Sequence, residues 1–193
     1  MLVRHASTSW SGRRYCGRSD PPLNRAGIAE AAELADRLGP TLGSKTRIVA
    51  SLSRRAMATA RAIASAAGGL SIERDARWLE TDFGIAEGLR FEELQTVAPD
   101  LATAVLAGSA TIDWPAGESA TALAARVSAA WTDLLASGHD AVVVTHAGPL
   151  VHALTLARHV APDLSAIPAP GSAIRLTIAA DGASRPPVLP SGT

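Results

Sequence analysis

Along the chain, short apolar runs alternate with longer stretches in which apolar residues recur every three or four positions. These are the signatures of strands and helices in an α/β domain built from parallel crossovers. The first strand spans residues 1–4 and delivers Arg4-His5 into a polar segment, about 6–23, rich in Ser, Gly and Arg. The spacing then predicts a helix over 24–38, with Ile28, Ala31, Ala35 and Leu38 on one apolar face, Asn24 as its N-cap and Gly39-Pro40 as its stop. "RIVAS", 47–51, reads as the second strand; a helix begins at Arg54 and ends at Gly68-Gly69, and 70–74 can form a third strand. From Trp78 to about Leu106 the pattern is irregular, with short helical turns. The clearest late helix runs from Glu118 to Leu135, placing Leu123, Val127, Ala130 and Leu134 on one side. It leads into "AVVVTHAGPL", a wholly apolar strand over 141–145 that stops at His146, with Pro149 suited to the first turn of another helix. "AIRLTI", 173–178, reads as the last strand, and the Pro-rich stretch 181–193 as a mobile tail.

Composition narrows the class. The 193 residues suit a single domain over 1–180. Eighteen basic and 18 acidic residues balance, which argues against a nucleic-acid partner. Cys16 stands alone, excluding an internal disulfide or thiolate metal cluster and fitting a reducing, cytoplasmic setting. No apolar run has the length of a membrane span, and the start lacks the design of a signal peptide. No Walker loop, nucleophile elbow or dinucleotide-binding glycine pattern is present, so neither a nucleotide cofactor nor a metal is expected. Oligomeric state is open between monomer and homodimer.

In parallel α/β sheets ligands bind outside the carboxyl ends of the strands. There the first strand offers Arg4-His5, the second Ser51 followed by Arg54-Arg55, and the late apolar strand His146 followed by Gly148. The Arg-His dipeptide alone means little, since Arg158-His159 repeats it without chemical surroundings. Convergence of two histidines and two or three arginines on one sheet edge means more. Arginines match phosphate oxygens, and an opening helix adds backbone N–H groups for the same anion. A histidine crowded by guanidinium groups is held neutral and nucleophilic. The residues therefore read as a phosphate pocket in which a histidine takes up a phosphoryl group.

At these positions the sequence resembles the histidine phosphatase superfamily, with its phosphoglycerate mutase-like fold. "LVRHASTSW" resembles the R-H-G signature, "YCGRSDPPLNRAG" the G-x-x-D-x-P-L-x-x-x-G segment, and "SLSRRAMATA" the S-x-L-x-R-A-x-x-T-A block. "WLETDFGIAEG" matches L-x-E-x-x-F-G-x-x-E-G, "PAGES" matches P-x-G-E-S, and "VVTHAGPL" matches the second-histidine motif. The blocks follow the family's order from residue 2 to about 150. The resemblance implies a mostly parallel central sheet with helices on both faces, three layers in all. It implies that His5 becomes phosphohistidine and that Arg4, Arg55 and His146 hold the phosphoryl oxygens. An alkoxide leaving group needs a proton, which Glu80, Asp82 or Glu87 in the matched segment could supply; motif position implies Glu80 as the acid, with Asp82 the alternative.

The match departs from the family at Ala6, Ser7 and Ser11, which stand where Gly, Glu and Asn are usual. Ser11 can still offer a hydroxyl to phosphate, and Trp10, Tyr15, Cys16 and Gly17 are weaker candidates for lining the substrate pocket. His139, His152 and His159 read as surface or helix residues. Cys16 is no cysteine-phosphatase nucleophile, because Pro22 stands where that chemistry needs an arginine. Only Met1 to Val3 precede Arg4, so the native start is expected upstream of Met1 or the strand frays there. The implied function is hydrolysis of a small phosphomonoester to inorganic phosphate. The rivals are a phosphoglycerate mutase, disfavoured by only 65 residues between Glu80 and His146, and a non-catalytic phosphate-binding relative. The "YCGRSDPPL" loop most resembles the α-ribazole-phosphate and broad-specificity phosphatases.

Overall fold

Two apolar layers sandwich one sheet, as the alternation of side chains along each strand requires. The computed structural model describes residues 1–108, 111–158, 167–178 and 184–185. Its sheet contains β1 (Leu2–Arg4), β2 (Arg47–Ala50), β3 (Ile72–Arg74), β4 (Ala141–Thr145) and β5 (Ala173–Ile174), in the order β3-β2-β4-β1-β5. All neighbours are parallel except β5, which runs antiparallel to β1 at the edge. Val3, Ile48, Ala50, Val142 and Val144 face α1 (Arg25–Leu38) and α2 (Arg54–Ala66). Leu2, Val49 and Val143 face α5 (Ala120–Ala136) and α6 (Ala147–Arg158) on the other side. Two helices, α3 (Phe91–Val97) and α4 (Pro99–Leu106), which precede α5 in the chain, close a satellite cluster around Leu94, Ala86 and Ala102. Among the described residues no helix is long and apolar enough to cross a membrane.

Local chemistry explains the helix starts. Asn24, Ser53 and Ser119 each accept a backbone N–H with the side chain, capping α1, α2 and α5. Two expectations need correction. Ile28 does not belong to the buried face of α1: it is 62% exposed, and Gly27, Ala31, Leu34 and Ala35 pack inward instead. Gly27 fits because a Cβ there would lie 1.9 Å from the Ser7 carbonyl oxygen, so the helix turns this position toward the 6–8 loop. "AIRLTI" is not one strand. It divides into β5, on the main sheet, and β6 (Thr177–Ile178), which pairs with β7 (Ser184–Arg185) in a separate two-stranded ribbon. Apart from that pair, the tail expected over 181–193 lies outside the described residues, as does His159.

Candidate active site

Register brings the two histidines together. β1 and β4 are adjacent and parallel, with Arg4 opposite Thr145, so both strands release a histidine at the same carboxyl edge. The His5 and His146 rings meet edge-on, with centroids 4.9 Å apart. His5 Nδ1 lies 2.7 Å from the Ala6 carbonyl oxygen. A carbonyl only accepts, so Nδ1 carries the proton and Nε2 keeps its lone pair, toward which Arg55 Nε–H donates at 3.3 Å. His146 Nε2 lies 2.8 Å from Ser51 Oγ and 3.3 Å from Ser53 Oγ. Both hydroxyl oxygens already accept backbone N–H groups, of Ser53 and Ala56. Each keeps its proton and a second lone pair, so the two serines bracket Nε2 in either tautomer, and the other ring nitrogen is Nδ1. Among the described residues that atom is buried with no partner, as is Arg4 Nε.

Arg55 is 1% exposed although it sits in the first turn of α2. Its guanidinium donates to the carbonyls of Ser19 at 2.7 Å, Gly17 at 3.0 Å and Cys16 at 3.1 Å. That loop is fixed from the other side by Glu87, whose carboxylate accepts the N–H groups of Gly17, Arg18 and Ser19. Gly17 allows the approach, because a Cβ there would meet the Thr81 carbonyl oxygen at 2.0 Å. Arg54, by contrast, is exposed, and its backbone N–H donates to the Asp20 carboxylate. Arg4 anchors itself through Nη1 to the Pro168 carbonyl at 2.9 Å.

The three carboxyl groups open in the sequence have different surroundings. Glu87 is committed to the 17–19 loop, and Asp82 accepts from Gly84 N–H and pairs loosely with Arg18. Glu80 is 6% exposed and stands at the start of α6, accepting the N–H groups of Gly148 and Ala147 at 3.1 Å and of Thr81 at 2.9 Å. Gly148 is required for this, since a Cβ would come within 2.7 Å of Glu80 Oε1. Burial raises the Glu80 pKa above the usual carboxylate range, against the pull of the Thr81 N–H and the Arg55 charge. A buried acid thus faces two neutral histidines and two guanidinium groups.

Burial above all, with the Arg55 charge second, pulls His5 down to about 3. His146 falls well below the ordinary value, through burial and then the neighbouring His5. The arginine crowding read from the sequence is therefore real but secondary to desolvation. A histidine neutral in the native state and free to protonate when unfolded makes stability fall with pH. For His5 the loss starts as pH drops through about 6.5 and is complete near 3, where the native ring also protonates. Its size is on the order of 4 kcal/mol. Denaturant titrations at fixed pH are expected to show wild type losing stability over this window more steeply than His5→Asn. Parallel curves would refute the account.

The weaker candidates take supporting places. Ser11 Oγ accepts the Thr8 N–H at 2.9 Å and so shapes its own loop. Tyr15 stacks in a ring cluster with Phe83 and Trp114, and Trp10 lies over Gly88. Cys16 contributes its carbonyl to Arg55, while burial pushes its thiol up to about 11. Residues given no role in the sequence reading do much of the holding: Ser51 and Ser53 on His146, and Thr59, whose Oγ1 accepts the Ala6 N–H and donates to the Arg55 carbonyl. The S-x-S spacing before the arginines was the available signal for the serines. Among the described residues no three His, Cys, Asp or Glu side chains are grouped to hold a metal ion.

Comparison with known proteins identifies the fold and the family. The chain is 37% identical over 148 residues to the probable phosphoglycerate mutase GpmB of Enterobacter sp. (strain 638), a match covering 75% of this chain and 67% of that protein. A mycobacterial glucosyl-3-phosphoglycerate phosphatase solved in complex with VO3 superposes with a TM-score of 0.83 and 27% identity, covering 99% of this chain and 98% of that one. A putative alpha-ribazole-5'-P phosphatase from Escherichia coli K-12 shares the fold, at a TM-score of 0.72 and 23% identity over 86% of this chain and 81% of its own. Residues 1–183 match the histidine phosphatase superfamily (branch 1), and the chain belongs to that family.

Proposed function

We propose that this protein is a phosphomonoesterase that works through a phosphohistidine on His5. The observation that carries the reading is the pair of buried, unpartnered polar atoms, Arg4 Nε and His146 Nδ1, beside a histidine whose Nε2 lone pair is free of a proton. Groups of this kind suit an anion with several oxygens. Nε2 attacks phosphorus, the P–N bond forms and the ester P–O bond breaks. The positive charge that grows on the ring is relieved through Nδ1–H to the Ala6 carbonyl. Arg4, Arg55 and His146 hold the phosphoryl oxygens, and Glu80 gives its proton to the departing alkoxide. The resulting carboxylate then takes a proton from water as that water attacks phosphorus, which releases inorganic phosphate and restores both groups.

The likeness to a glucosyl-3-phosphoglycerate phosphatase over nearly the whole chain supports hydrolysis of a small phosphorylated metabolite. The match to a probable phosphoglycerate mutase makes phosphoryl return to a sugar acid the alternative. Against it stand the 65 residues between Glu80 and His146, little for a lid that must exclude water. The deciding assay supplies a bisphosphoglycerate-primed enzyme with 3-phosphoglycerate and, separately, a panel of sugar phosphates, nucleotides and α-ribazole phosphate. Free phosphate is expected to form from at least one panel member faster than phosphoglycerates interconvert. Faster interconversion would make the protein a mutase, and neither activity would make it a binding relative.

A further inference from the structure

The P-x-G-E-S stretch at 115–119 has no part in the chemistry above, yet its Glu118 holds an arginine beside the site that is bonded through all three of its guanidinium nitrogens. Arg126, in the second turn of α5, donates through Nη1 to the carbonyls of Arg77 and Leu79, both at 2.7 Å, and through Nη2 to the carbonyl of Glu80 at 3.1 Å. Its Nε and Nη2 also donate to the Glu118 carboxylate, at 2.6 and 2.8 Å. Three carbonyls within four residues of chain thus converge on one guanidinium, and the last belongs to the proposed acid itself. Such a fork has no lysine equivalent.

Glu118 is placed for charge as well as geometry. Its side chain is 9% exposed and bidentate on Arg126, and its backbone N–H donates to the Asp82 carbonyl at 2.9 Å. The guanidinium charges that pull on the Glu80 carboxyl are those of Arg55 and Arg4. An unpaired third cation behind the same carboxyl would favour its ionised form; pairing with Glu118 sets a negative charge against Arg126, which holds the 77–80 segment through its backbone bonds.

We propose that Arg126, paired with Glu118, is a positioning residue that fixes the 77–80 backbone and so sets where the Glu80 carboxyl meets the leaving oxygen. The proposal rests on the reading of Glu80 as proton donor. Its test exploits the leaving group: p-nitrophenolate departs without a proton, whereas the alkoxide of glycerol 2-phosphate needs one. The quantity to compare is kcat/KM, which reports the transfer to His5. Glu80→Gln is expected to lose on the order of 10²-fold more on glycerol 2-phosphate than on p-nitrophenyl phosphate. Arg126→Lys is expected to show the same selectivity, about 10-fold or more, in protein with a cooperative melt. Partial misfolding cannot imitate this, because it scales both rates alike. Should Arg126→Lys not fold, Glu118→Gln is read the same way, with a smaller selective loss.

Selective loss in Glu80→Gln with an even loss in Arg126→Lys, or in Glu118→Gln where that stands in for it, would overturn the positioning role alone. An even loss in Glu80→Gln would instead overturn Glu80 as the acid. Asp82→Asn measured alongside would then show whether that carboxyl holds the part.

Discussion

His5→Ala is expected to abolish phosphate release, by on the order of 10⁴-fold or more, with the fold retained. The ring is buried, but its direct hydrogen bonds are few: Nδ1 to the Ala6 carbonyl and Nε2 from Arg55 Nε. Removing it leaves the cradle of Arg4, Arg55 and His146 in place with nothing to accept the phosphoryl group. Wild-type protein quenched during turnover of a labelled phosphomonoester should carry acid-labile, alkali-stable label, the behaviour of a phosphorus–nitrogen bond, and the variant should carry none. Turnover within about tenfold of wild type would place the nucleophile elsewhere, because loss of a covalent catalyst costs far more than that.

Arg55→Lys carries the second large effect, on both activity and stability. A lysine keeps the charge but cannot reach the Ser19, Cys16 and Gly17 carbonyls and His5 Nε2 from one planar head. Buried carbonyls left without donors cost roughly 1–3 kcal/mol each where water cannot reach them, and partial rescue by the ammonium leaves an expected loss of about 2–4 kcal/mol. Losing one preplaced oxyanion donor costs a further ~10²–10³-fold in turnover. Chemical denaturation and kcat on an aryl phosphate measure the two separately. Arg54→Lys, at the exposed neighbouring position, is the control and should change neither by much. Equal effects at the two positions would refute the assignment of the pocket arginine to Arg55.

Arg55 also shows where sequence reading stops. From residue types alone Arg54 and Arg55 were equivalent, and only the matched motif separated them. The structure separates them by helix geometry: Ser53 caps α2, and successive residues then point about 100° apart, so Arg55 turns into the site while Arg54 faces solvent. The same is true of the carboxyls. Nothing in "ETDFGIAE" distinguishes an acid held at a helix start from one that ties down a neighbouring loop, since both roles depend on backbone N–H groups from segments far away, at 147–148 and 17–19. Ile28 was misplaced because a period of 3.6 admits neighbouring faces, and the loop at Ser7 selected the one that presents Gly27.

By itself the sequence determined the layered α/β fold, since apolar alternation and helical periodicity are local properties with global consequences. It also determined that His5, the arginines and His146 share one sheet edge, because parallel strands release their ends together. Only the tertiary structure decided protonation and support: the Ala6 carbonyl assigns the proton on His5, two serine hydroxyls bracket His146 Nε2, and burial more than arginine charge holds both rings neutral. Those depend on which dipoles and how much protein surround each group, and such neighbours come from distant parts of the chain.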